Sequence, residues 1–238
     1  MPSKRLHPAL FAIWCLAFIL TSEGRGGVIT DYTDRTNFNA ALAGETLTVE
    51  DFTPDTHYPI STGVLNSQTD LPSIGITPGT IQAGVTYSTT QTNTNVTNFF
   101  NIDGANLSAN DFKGGFLDGI GSGPLNVAFD SPALGFGFDT DQRMGTSFTV
   151  TINFSSGPAV VEKLTGPTSY DTQFFGFVGD SRDITSVQIQ GVDAPNGISF
   201  ALDNFTFTST AVPEPASLAM LGMGLVAWLG QARRSRRS

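Results

Sequence analysis

The chain has 238 residues, 39% of them hydrophobic, a formal net charge of −9 and one cysteine, Cys15. Once terminal targeting segments are set aside, that length leaves one sizeable domain with a true hydrophobic core. The acidic balance disfavours nucleic acid and anionic membranes, and a lone cysteine near the start excludes a disulfide framework, a thiolate zinc site and a cysteine nucleophile.

Lys4 and Arg5 precede an apolar run from Ala9 to Leu20, which gives way to small and polar residues including Ser22, Gly24, Gly26 and Gly27. This is the pattern of a secretory signal peptide over residues 1–25, handled by the general secretion machinery and by signal peptidase. Cleavage after Gly24 places Ser22 and Gly24 at the two positions that demand small side chains. The run is too short for a resident membrane span, and bulky Ile13 and Trp14 before Cys15 exclude a lipid-attachment site. The mature chain therefore has no cysteine, and its fold must be held by its core.

Residues 26–211 form the expected domain. Of 21 acidic residues only Glu23 and Glu214 fall outside it, and of 12 basic ones only Arg35, Lys113, Arg143, Lys163 and Arg182 fall inside, a balance of about −14. Of these 19 acids 16 are aspartates, several of them beside glycine, asparagine or proline. Aspartate serves there as a turn residue, and an oxygen-rich loop of that kind also suits calcium.

Thr33 to Gly44 predicts the one helix, with Thr33 or Asp34 as cap, Phe38, Ala41 and Leu42 on one face, and Gly44 as the stop. The period then changes to two. Thr46 to Phe52 is the expected opening strand, and Pro54, Pro59, Pro72 and Pro78 make the next stretch a loop with short strand pieces before a strand at Gly84–Thr89. Thr90–Asn98 and Asn101–Ser122, rich in threonine, asparagine, glycine and aspartate, predict exposed loops.

From Leu125 the alternation is strong: Leu125, Val127 and Phe129; Leu134, Phe136 and Phe138; Phe148, Val150, Ile152 and Phe154. Ala159–Leu164, Phe174–Val178, Ser186–Gln190 and Phe200–Thr208 complete about ten half-buried antiparallel strands, which argue for an all-β, two-sheet antiparallel sandwich. Phenylalanine, 19 residues against 4 tyrosines, supplies most of the core. In the last strand Phe200 and Leu202 are in even phase but Phe205 and Phe207 in odd phase, so a bulge must fall near Asp203 and Asn204, or the strand starts there.

Little of this supports catalysis. His57 is the only histidine outside the leader, so no histidine cluster can hold zinc or iron. Gly179-Asp180-Ser181 matches the nucleophile block of a secreted esterase family, but no histidine stands near the C-terminus to serve Ser181, and the strand-turn-strand setting makes Ser181 a hairpin residue. The glycine-rich Gly119–Pro124 runs into a strand, which excludes a phosphate-binding helix start. A pair of carboxylates, Asp139 with Asp141 or Asp118 with Asp130, remains the one catalytic option, as in glycoside hydrolysis.

The last segment, residues 212–238, is an address. Pro213-Glu214-Pro215 has two fixed φ angles and should stand extended. Ala216–Gly230 follows without a charge, and Arg233, Arg234, Arg236 and Arg237 come next. At a rise of ~1.5 Å per residue the apolar helix reaches about 22 Å, short of a roughly 30 Å hydrocarbon core, and the arginines would hold its end in the cytoplasm. Pro-Glu-Pro, apolar helix and arginine cluster, in that order, resemble the PEP-CTERM sorting signal of exported bacterial proteins. The resemblance implies that a membrane-embedded exosortase recognises Pro213, Glu214 and Pro215, cuts near them, and releases or transfers the domain after transient insertion in the inner membrane. The alternative is an ordinary tail anchor, which has no need of the Pro-Glu-Pro.

A second resemblance is to the jelly-roll sandwich domains common among PEP-CTERM proteins. Phe174–Ile189, Ala201–Phe207 and the helix-then-strand segment Asp34–Phe52 carry it, with Gly179 in place of the usual serine. In such modules the first and last strands often neighbour one another and share a structural calcium, which implies Asp203 with Glu50 or Asp51 as ligands; Asp203 and Asn204 could instead satisfy backbone groups at the bulge. The expectation is an exported, non-catalytic structural or adhesive sandwich at the cell surface or in the extracellular polysaccharide of a biofilm matrix, with glycan as a ligand and no nucleic acid. The rival is a sandwich-fold glycan hydrolase or lyase using two carboxylates, and a third reading is a matrix filler without a specific ligand.

Overall fold

A computed structural model describes residues 27–52, 59–60, 64–89, 100–103, 116–120, 123–169, 171–192 and 198–209. The leader, His57, the Pro-Glu-Pro, the apolar segment and the arginine cluster lie outside these residues. Among the described residues, no helix is long and apolar enough to cross a membrane.

The chain opens with β1 (Ile29–Tyr32) and a single α-helix, α1 (Arg35–Ala41). Strands β2 (Thr46–Glu50), β3 (Pro59–Ile60), β4 (Val64–Asn66), β5 (Val85–Thr89), β6 (Phe100–Asp103) and β7 (Phe116–Ile120) follow. The second half comprises β8 (Leu125–Ala133), β9 (Gly135–Thr140), β10 (Ser147–Phe154), β11 (Val160–Thr165), β12 (Gln173–Gly179), β13 (Ile184–Gly191) and β14 (Ile198–Ser209). They make two antiparallel sheets. The first runs β1-β12-β9-β14-β7-β6-β3 with β2 also on β14, and the second runs β11-β10-β13-β8-β5-β4.

The expected two-sheet sandwich is therefore present, and its elements follow from local chemistry. The Asp34 carboxylate accepts a 2.8 Å hydrogen bond from the Asn37 N–H and so caps α1, while Gly44 beyond the helix takes φ +97°, a conformation open to glycine. Strand β10 alternates buried and half-buried residues along its whole length, as the two-residue period requires.

Three expectations need correction. The stretch after Asn101, read as loop, contains β7, and β6 occupies Phe100–Asp103; both are short and too polar to show alternation. Strand β1 is a four-residue edge strand whose Thr30 and Asp31 interrupt any apolar pattern. Finally, β12 and β13 belong to different sheets, so residues 180–183 form a corner between layers and Ser181 is not in a hairpin.

The inter-sheet core is built of rings. Phe136 stacks on Phe177 with centroids 5.0 Å apart, and Phe148 meets Phe175 edge-on at 4.9 Å. Such pairs contribute about 0.5–1.5 kcal/mol each beyond their buried area. A smaller cluster of Phe38, Leu42 and Phe174 sits on the other face of the first sheet and fastens α1 there. Its floor is a pair of glycines, Gly137 and Gly176, directly opposite each other in β9 and β12. A Cβ on Gly176 would lie 2.6 Å from Phe38 Cδ2 and 2.8 Å from Phe174 Cε1. Gly176→Ala is expected to cost about 1–3 kcal/mol by overpacking. Thermal melting checks this: Tm should fall, and an unchanged Tm would mean that the rings do not rest on this glycine.

Candidate functional site

The polar residues that the sequence singled out gather around β14. This strand serves three partners: β7 pairs its first half, β2 its second half on the same side, and β9 lies along the other side. The register against β9 shifts between Asp203 and Thr206, which is the anticipated bulge. Asn204 sits there with φ +48°, a left-handed conformation that asparagine tolerates better than most residues. The bulge lets Phe200, Leu202, Phe205 and Phe207 all reach the core.

Asp203 and Asp139 are paired across β14 and β9, and Asn204 joins them. The Asn204 N–H donates to Asp203 Oδ1 at 2.5 Å, and its side-chain amide donates to Asp203 Oδ2 at 3.0 Å and Asp139 Oδ2 at 2.9 Å. Arg35, the first residue of α1, lies over the Phe174 ring at 4.4 Å, donates from Nη1 to Thr206 Oγ1 at 2.9 Å, and brings Nη2 within 2.9 Å of Asp139 Oδ1. That last approach is a charge contact more than an aligned hydrogen bond. One guanidinium thus ties the helix to two strands.

Asp203 is almost fully buried, and its pKa is pushed up to about 7, first by burial and then by the negative charges of Asp139 and Asp51. Glu50 is fully buried and rises to about 6, again mainly through burial. Glu50 stands opposite Phe205 and so shares the inner face with it, whereas Asp203 pairs with Asp139, in phase opposite to the core residues Phe138 and Leu202. Its oxygens are already used: Oε1 accepts the Phe52 N–H at 2.9 Å and Oε2 the Gln82 N–H at 2.6 Å. Phe52, held by that bond, takes the unfavourable φ of +49°. Glu50 therefore locks the end of β2 to the segment that leads into β5 of the other sheet.

Glu50 and Asp203 lie on opposite faces, Asp51 is exposed, and among the described residues no three carboxylates or imidazoles converge to hold a metal ion. Asp203 accepts the Asn204 N–H at the bulge, the other role open to it in the sequence, and Glu50 accepts two backbone N–H groups at the strand end.

The residues raised for catalysis are dispersed. Asp139 is held by Arg35 and Asn204, and Asp141 is fully buried. Asp130 is exposed on β8, in the sheet opposite the one that contains Asp118. Ser181 is exposed at the corner and contacts Asp180 Oδ1 at 3.3 Å. Sequence reasoning missed Arg35 and Glu45. Arg182 pairs with Glu45 and reaches Thr208 Oγ1 at 3.4 Å, fastening the corner to the end of β14. The signal for both was charge scarcity: a cation among so many acids is a natural partner for one of them.

Comparison with known families identifies residues 211–235 as a PEP-CTERM protein-sorting motif. The motif implies export, membrane-associated sorting and exosortase as the processing partner. No curated protein matches the chain.

Two predictions separate the buried acids. Because the folded pKa of Asp203 lies above the ordinary aspartate value of 3.8, its protonated form is favoured by folding, and stability is lost as pH rises from about 4 through about 7. Asp203→Asn removes the charge but sets an NH₂ beside the Asn204 amide, where the protonated acid would set its O–H, so the Tm of the variant relative to the unaltered protein should be higher at pH 8 than at pH 4; an equal difference at both values would show that the charge is not strained. Glu50→Gln should act oppositely, since its NH₂ would face one of two buried N–H donors at a cost of about 1–3 kcal/mol. Urea unfolding at pH 8 reads this as a lower midpoint.

Proposed function

We propose that the protein is a non-catalytic structural or adhesive sandwich of the cell surface or extracellular polysaccharide matrix, delivered there by exosortase. The observation that carries this reading is the PEP-CTERM motif directly behind β14, on a domain whose chemistry faces inward. Its buried acids hold backbone N–H groups, and its described large exposed hydrophobic residues are valines, not rings. A stacking platform for sugars would need exposed aromatic faces. Contact with matrix glycan on this reading uses polar loops and hydrogen bonds, and the acidic surface favours neutral chains or cations over nucleic acid.

Intact mass and fractionation of the native protein, with and without the host exosortase, test the delivery. The mature chain should lose Arg233–Arg237 and leave the inner membrane only when exosortase is present. Retention of the arginines and of membrane attachment in both strains would make the tail an anchor. Incubation with matrix polysaccharide tests the role: the domain should co-sediment without shortening the chains, whereas release of reducing or unsaturated ends would make it a hydrolase or lyase.

A further inference from the structure

The two points at which the described domain begins and ends are in one row. The Val28 carbonyl accepts from the Asp180 N–H, and Ile29 pairs with Gly179. The Gly179 N–H in turn donates to the Leu134 carbonyl, and the Leu134 N–H donates to Thr208 Oγ1. Ser209, the last residue of β14, pairs with Thr46 at the start of β2. Val28 and Ser209 therefore leave from the same end of the first sheet, and the corner at residues 180–183 lies there too.

Pro213 is only four residues beyond Ser209. Four extended residues reach at most about 14 Å, less than the roughly 16 Å radius of gyration of a folded domain of this size. An enzyme embedded in the membrane cannot bind Pro213–Pro215 while the domain stands away from it. Resting on the sorting reading above, we infer that this end of the sandwich, around Val28, Glu45, Asp180 and Arg182, is the surface that seats against exosortase during processing. Its chemistry favours a protein over bare lipid: Asp180 is exposed and negative, Glu45 is already paired with Arg182, and Val28, 64% exposed, offers an apolar contact. An anionic bilayer would repel such a surface. The Arg182 contact with Thr208 Oγ1 fastens the end of β14 to this corner.

Photocrosslinking of the full-length precursor tests the inference. A photoreactive residue replaces Asp180 at this end, or Val192, 57% exposed at the opposite end of the second sheet, in a host whose exosortase binds but does not cut. The expected result is an adduct with exosortase from position 180 and none above background from 192. Equal adducts, an adduct from 192 alone, adducts with lipid alone, or none from 180 would overturn it. A second arm deletes Thr210–Val212, which joins Ser209 directly to Pro213: processing by active exosortase should stop while Tm is unchanged, and continued processing would overturn the inference. Pro213→Ala with Glu214→Ala in the same active host separates the two readings. If neither this variant nor the unaltered chain is processed, the sorting reading itself has failed, and the docking surface falls with it.

Discussion

Strand β14 is the constraint on which the sandwich depends. Its twelve residues must pair with β7, then β2, and from Asp203 to Phe207 with β9 on the other side, while sending four large apolar side chains into one core. A strict two-residue period cannot do this, because Phe200 and Leu202 are out of phase with Phe205 and Phe207. One extra residue at Asn204 resets the phase, and the same residue uses its amide to hold Asp203 and Asp139 together. Phase, partner exchange and charge control thus meet at one asparagine. The buried acids on either side of it are consequences: Asp203 secures the bulge, and Glu50 secures the strand that takes over where β7 stops.

Much of this was legible in the residues. The long alternating runs marked the central strands because half-burial imposes a period of two, and the phase break between Phe200 and Leu202 on one side and Phe205 and Phe207 on the other left a bulge or a strand start near Asp203 and Asn204, of which the structure has the bulge. What escaped was short or polar. Strands β1, β6 and β7 have too few residues for a period to register, and β7 contains Asp118 and Gly119, which read as loop. How the acids expected as calcium ligands sit relative to one another was not legible either. Glu50 and Asp203 are close in the pairing scheme, but one strand faces its carboxylate inward and the other outward, and which face a residue takes beyond a bulge depends on a register that sequence does not state.

The division of labour between charged and apolar residues is unusually sharp. Rings fill the inside, with glycines at 137 and 176 giving them a flat floor outside as well, and acids cover the exterior. The few cations are spent on ties: Arg35 binds the helix to β9 and β14, and Arg182 binds the corner to β14. Residues 26–211, which contain no cysteine, gain in this way cross-links between elements distant in sequence. They are reversible, they need no oxidant, and they hold in the compartment to which the sorting motif directs the protein.

The position of Ser209 has a mechanical meaning. A domain held by its C-terminus and loaded through its surface transmits force along the axis of β14. That strand is flanked on both sides by antiparallel neighbours, with its hydrogen bonds perpendicular to the pull. Force in that direction shears the ladder, so the bonds to β2 and β9 share the load and must yield together. Force applied between Val28 and Ser209, which leave from the same end, would instead peel strands apart one bond at a time. The fold is thus resistant when pulled as a tethered domain and compliant when pulled between its own ends.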